Sequence, residues 1–279
     1  MRTLEPEFPL ATLCRILDVP RSSASYAARP ARPVDLSMLK DVILHLRVTY
    51  RGFGVRRMFE VLKRLHVDAS RRQVRQAYVE LGMLKRRPRR KPRTTDSDHD
   101  GPFFPNLVVG LTVEHPDQVW VADVTYVHVG SRYGYLALLM DVYTRQIVGW
   151  SLESFLGERL ALHALETALS AGRRPEIHHS DRDGGYAAHK YLAKLRACKA
   201  RSSMTAADSP EENGYAERLN RTVKEEEVRL GEYRTVDEAR EAVGIFIRYY
   251  NETRIHSSLM YQTPSEAFQR WVDEQRGKP

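Results

Sequence analysis

Three carboxylates and one ammonium group occupy positions where their chemistry is hard to explain by folding alone. Asp123 interrupts the β-branched and aromatic run Gln118-Val-Trp-Val-Ala-Asp-Val-Thr-Tyr-Val-His-Val129, where an acid is disfavoured and costly to bury without a partner. Something cationic must face it. Asp181 ends a short predicted strand, Ile177 to Asp181, from which its side chain projects beyond the sheet edge. Glu217 stands in the first turn of a helix predicted over Asn213 to Val228, with 35 residues between it and Asp181. Lys224 lies seven positions further on, which at 3.6 residues per turn returns almost to the line of Glu217. Two Asp and a Glu form an all-oxygen donor set suited to Mg²⁺ or Mn²⁺. A pair of such ions about 3.5–4 Å apart can activate an attacking oxygen and stabilise the leaving one. With an ammonium on the same stripe to hold a polyanion, the set points to metal-dependent phosphodiester chemistry.

The elements that must position these groups show in the change of periodicity along the chain. Gln118 to Val129 alternates, ends at Gly130-Ser131, and is followed by Tyr135 to Val142 and Gln146 to Leu152, with Tyr143-Thr-Arg145 as the second turn. This predicts a three-stranded meander. A helix over 157–171, a strand over 177–181, a helix over 187–198, a strand near 200–204 and the Glu217 helix complete an α/β layer. A mixed five-stranded sheet with flanking helices is the economical fold. Helices at 236–251 and 264–275 follow. Upstream, Pro9 to Leu17 and Arg21 to Tyr26 flank a break at Asp18-Val-Pro20, the outline of a helix-turn-helix. An amphipathic helix with Leu36, Leu39, Ile43 and Leu46 inward comes next, then one over Val55 to Leu65. A further helix is capped by Ser70, turns Val74, Ala77, Tyr78 and Leu81 inward and stops at Gly82. Its outward Arg71, Arg72 and Arg75 suit a DNA groove. Gly52-Phe-Gly54 is not a phosphate loop, because Arg57 stands where a third glycine is needed and no strand precedes it. The expected division is a helical region at 1–84, a basic and polar linker at 85–112, and an α/β core with C-terminal helices at 113–279.

Charge supports a polyanionic partner. The net of +8 is split unevenly: residues 1–93 hold 22 Lys+Arg against 8 Asp+Glu, a net of +14, leaving 22 against 28, a net of −6, for the remainder. Nucleic acid is the usual partner of such a basic half. In the linker, Lys85, Arg86, Arg87, Arg89 and Arg90 belong to a run of seven cations in nine residues that two prolines keep extended. The two cysteines, Cys14 and Cys198, have no ligand or disulfide spacing. No apolar run approaches the roughly 18 residues of a membrane-spanning helix, and the first ten residues lack a signal-peptide core. A cytoplasmic protein is expected.

Taken in order, WVADVTYV, HSDRDGGY, SMTAADSPEENGYAERLNRTVKEE and YYNETRIHSSLMYQTPSEAF resemble the orfB-type DDE transposases of bacterial insertion sequences, which belong to the retroviral-integrase superfamily. The similarity extends upstream to YRGFGVRRM and LGMLKRRPRR. The resemblance implies an RNase H-like core, with Asp123, Asp181 and Glu217 as the catalytic and metal-ligating triad and Mg²⁺ or Mn²⁺, as two ions, as cofactor. It implies DNA transposition: cleavage at the ends of the element and strand transfer of the 3′-hydroxyl into target DNA. Its expected partners are element-end and target DNA, a homo-oligomer on that DNA, and an upstream-frame protein or fusion, although no coiled coil of that frame is visible here. The alternatives are an RNase H-like nuclease that only hydrolyses, and an inactive DNA-binding remnant. Where the family pattern has Gly and then Gln after the second Asp, this chain has Asp183 and Gly185, which bears on the support of Asp181. Asp141, Asp183, Glu211 and Glu212 are rival acids, but none reproduces the strand, strand-end and helix placement. His179 either orients Asp181 or packs, and His256 is similarly ambiguous. Lys224, Arg218 and Arg221 are expected to hold phosphates.

Overall fold

Alternation along β1 (Val119–Val129) sends Val119, Val121, Val127 and Val129 to one face of a sheet and Trp120, Ala122 and Val124 to the other. Asp123 falls on the first of these faces. The structure is a computed structural model that describes residues 9–21, 35–84, 103–206 and 210–277. β1 pairs antiparallel with β2 (Arg132–Asp141), which pairs antiparallel with β3 (Ile147–Glu153). On its other side β1 pairs in parallel with β4 (Ile177–Ser180), and β4 in parallel with β5 (Arg201–Met204). The sheet order is therefore β3-β2-β1-β4-β5, the mixed five-stranded RNase H-like arrangement.

The chain forms two compact units, Met1–Met38 and Leu39–Pro279. In the first, α1 (Leu10–Ile16) buries Leu13 and Cys14. The partner helix expected to Tyr26 lies, beyond Arg21, outside the described residues. So do the linker cations Lys85, Arg86, Arg87, Arg89 and Arg90. α2 (Ser37–Thr49) leads into the second unit, where α3 (Val55–Arg64) and α4 (Arg71–Glu80) follow. Ser70 closes a capping box with Gln73 at the start of α4. The predicted inward residues Val74, Ala77 and Tyr78 are buried, and Arg71, Arg72 and Arg75 are exposed.

Helices cover both faces of the sheet. α5 (Glu158–Ser170), the single turn α6 (Gly184–Ala187) and α7 (His189–Ala197) pack with Trp120, Ala122, Ala137 and Leu139. α5 comes so close to β3 that a Cβ on Gly149 would lie 2.2 Å from the carbonyl of Ala164. α8 (Gly214–Val223) and α9 (Val236–Glu252) cover the face that carries Asp123, and α10 (Pro264–Arg276) follows. The helix expected over 187–198 is present as α7, and a single unexpected turn, α6, precedes it. Asp183 accepts a hydrogen bond from Gly185 N at 2.8 Å and caps α6, and Ala188 is extended (φ −64°, ψ 141°), so the chain restarts as α7. Among the described residues no helix is long and apolar enough to cross a membrane.

Candidate active site

Strand register brings two of the acids together. The last β1–β4 pair is Ala122 with Ser180, so the next step along both strands sets Asp123 beside Asp181 on the face that α8 covers. Burial, followed by the charge of Asp181, raises the pKa of Asp123 to about 7. Three groups oppose that rise. Asp123 Oδ1 accepts from Val124 N at 2.8 Å, Oδ2 accepts from Asn220 Nδ2 at 2.8 Å, and the ammonium of Lys224 acts on it electrostatically. Lys224 is itself lowered by burial, with Asp123 acting in the opposite sense. Lys224 is thus a cation whose charge favours the ionised form of Asp123.

Asp181 is held from its own loop, where Asp183 N donates to its Oδ1 at 3.1 Å. The residues that differ from the family pattern thus form a cap: Asp183 supports Asp181 with its backbone and Gly185 with its side chain. Behind the pair, Tyr186 is fully buried, feels the charges of Asp181 and Asp123, and has a hydroxyl with no hydrogen-bond partner among the described residues.

Glu217 rides on α8, one turn before Asn220 and so on the side that reaches Asp123. The helix start is tied down by Asn213, whose Nδ2 donates to the carbonyl of Ala122 at 3.0 Å. Among the described residues no three His, Cys, Asp or Glu side chains stand close enough together to hold a metal ion. Asp123 and Asp181 interact, and Glu217 is not gathered with them. The helix predicted to run to Val228 changes character at Lys224. Lys224–Val228 is a π-helical segment in which Arg229 N donates to the Lys224 carbonyl at 3.0 Å. A one-residue widening of this kind is frequent at functional sites.

The rival acids have structural work. Asp141 is fully buried and accepts from the backbone of Asp117, Tyr143 and Thr144 at the β2–β3 turn. Glu212 accepts from Asn106 Nδ2 and Ala206 N, both at 2.7 Å. The side chain of Glu211 lies outside the described ones. His179 is packed: its Nδ1 bonds with Ser203 Oγ at 2.9 Å, and burial lowers its pKa. Arg221 is exposed near the Glu217–Lys224 stripe, whereas Arg218 points about 100° around α8 into a different cavity. Asn213, Asn220 and Tyr186 escaped the sequence reading. For Asn220 the signal was present, one turn beyond Glu217 and one before Lys224.

The Integrase core domain family matches this chain over residues 113–210, and a second Integrase core domain family matches over 199–264. An insertion element IS600 protein of 31 kDa from Shigella sonnei is 32% identical over 231 residues, covering 81% of this chain and 85% of that protein. The transposase for insertion sequence element IS629 from the same species is 30% identical over 220 residues, covering 78% and 74%. The chain belongs to the insertion-sequence DDE transposases of the integrase superfamily. This transposase is also 26% identical over 263 residues to transposase InsF for insertion sequence IS3A of Escherichia coli K12, with 91% of each chain covered. It is a polynucleotidyl transferase of DNA transposition, in a metal-dependent family that acts on DNA.

Proposed function

We propose that the transposase cuts at the 3′ ends of its element and joins the freed 3′-hydroxyls to target DNA, using Asp123, Asp181 and Glu217 as the acids of the reaction. The observation that carries this reading is the half-buried Asp123 with its raised pKa, set beside Asp181 and within reach of the charge of Lys224. A carboxylate whose pKa is raised by burial and by the neighbouring charge of Asp181 marks a site in want of positive charge, and the all-oxygen chemistry of the pair fits a hard divalent cation. Asp123 and Asp181 would hold it, with Glu217 as the third donor from α8. One or two Mg²⁺ or Mn²⁺ ions would supply Lewis-acid stabilisation of the attacking and leaving oxygens.

The chain's own residues do the rest. Asn220 fixes the carboxylate plane of Asp123, and the Asp183 amide fixes that of Asp181. Lys224 places a phosphate against the acids, and Arg221 extends that contact along α8. Arg71, Arg72, Arg75 and the 85–90 cations bind DNA away from the reacting bond. In cleavage, water attacks phosphorus and the 3′-oxygen leaves as a hydroxyl. In joining, that hydroxyl attacks a target phosphodiester, one P–O bond forms as another breaks, and no energy source is consumed. The transposase works as a homo-oligomer on paired ends, with or without an upstream-frame partner. Purified protein, Mg²⁺ and end-labelled element DNA test the reading: strand-transfer joints are the expected product. Nicks alone would make it a nuclease, and neither product would make it a remnant.

A further inference from the structure

On the side of α8 turned away from Asp123 lies a cavity of about 320 Å³ whose walls include Arg57, Arg145, Arg218 and Arg254, together with His256 and Ser257. Charges gathered this closely normally cancel, and here they do not. Glu226 is the one carboxylate among the described residues that bonds with any of the four: it accepts from Arg254 Nε at 2.7 Å, Arg254 Nη2 at 2.9 Å and Arg57 Nη1 at 3.1 Å. Arg145 Nη1 is buried and has no hydrogen-bond partner among the described residues, and its guanidinium stacks 4.1 Å over the ring of Tyr215. Arg218, which is exposed to solvent, makes no side-chain hydrogen bond among the described residues either. His256 cannot relieve the excess or add to it at neutral pH, because burial and then these arginines drive its pKa to about 2. Its ring instead receives Arg254 Nη1, 3.1 Å from Nε2.

A buried guanidinium donor without an acceptor is costly, and a cavity with surplus positive charge and hydroxyl groups is built for an oxyanion. Its size is at the lower end for ligand pockets, enough for a phosphate with its neighbouring sugar. Tyr215 and Arg218 flank Ala216 and Glu217 on the first turn of α8, so the cavity and the acids sit on opposite sides of one turn. We infer that the pocket grips a backbone phosphate of the DNA strand being processed, one anchor away from the scissile phosphate, through Arg145 and Arg218. This rests on the reading of Asp123, Asp181 and Glu217 as the acids of the site, and it adds a second phosphate anchor behind Glu217.

The test uses the full-length protein and compares wild type with Arg145→Gln, Arg218→Gln and Asp123→Asn. Binding of element-end duplex is measured across a salt series, and binding of inorganic phosphate by calorimetry. Each arginine variant is expected to weaken duplex binding about tenfold and to reduce the log–log salt slope by about 0.9, while Asp123→Asn keeps both. Inorganic phosphate is expected to bind weakly, to compete with duplex and to be lost in both arginine variants. Unchanged affinity and slope in both arginine variants would overturn the proposal. So would phosphate binding that depends on the two arginines but does not compete with duplex, since the pocket would then serve a free anion. Failure of Asp123→Asn to abolish cutting would instead strike the catalytic assignment, whatever the arginines do.

Discussion

Asp123 carries an electrostatic cost that can be measured without any substrate. Its folded-state pKa of about 7 lies above that of an exposed aspartate, so the folded state holds the proton more tightly. Its contribution to stability is therefore full below about pH 4 and is lost as pH rises to about 7. In chelator, Asp123→Asn should raise the urea midpoint at pH 8, by an equivalent of roughly 2–4 kcal/mol, and change little at pH 4. A wild-type midpoint that stays flat between these values would remove the repulsion from the account. The same substitution should abolish cleavage and joining while leaving DNA binding intact, because an amide cannot neutralise the cation's charge. Mg²⁺ should raise the melting temperature of wild type at pH 8 but not that of Asp123→Asn, since only the former has the paired carboxylates. Equal shifts in both would place the ion elsewhere.

At the scale of elements, the helix that bears Glu217 is fixed by its far end. Glu226, in the π segment, joins Arg254 after α9 to Arg57 on α3, and Gly52 lies so close that a Cβ there would meet the Glu226 side chain at 2.3 Å. Burial pushes Glu226 up, but the hydrogen bonds and charges of Arg254 and Arg57 outweigh it and hold it below the usual carboxylate range. Glu226→Gln should destabilise the fold by about 3–5 kcal/mol at neutral pH, since it strands two arginines. That difference should shrink as pH falls through the depressed pKa of Glu226, a trend that denaturation at pH 7 and pH 3 would reveal. Lys224→Ala should keep the fold and cut joining at least tenfold. Wild-type joining would leave Lys224 as a counter-ion only. Much of this architecture was legible: the strands, the Ser70 cap and the acid placements follow from alternation, capping chemistry and an acid set in a β run. The π widening was not, because it is imposed by tertiary contacts to Glu226 rather than by local propensity. The extra turn Gly184–Ala187 and the Asn220 contact were missed for a related reason, as each depends on a side chain meeting a segment distant in sequence or a turn too short to show a period.

For the whole molecule, the basic N-terminal half is not one removable piece. Deleting residues 1–34 should leave the second unit cooperative on melting and lower the salt slope of DNA binding. Deleting 1–93 should cost the fold itself, because it removes Arg57 and Gly52 from the Glu226 contacts. Cooperative melting of the longer deletion would show that α2 to α4 are dispensable. The strand order has a consequence in time. β1, β2 and β3 are joined by short turns and can zip within microseconds of their synthesis, whereas β4 must cross α5 before it reaches β1. Asp123 and Asp181 have 57 residues between them, and Glu217 comes later still. A nascent chain, or one cut short before β4, therefore holds a finished meander and a lone acid. On the proposed assignment of the three acids, the site is complete only once β4 and α8 have joined the meander, so a copy cut short before β4 should neither cut nor join DNA.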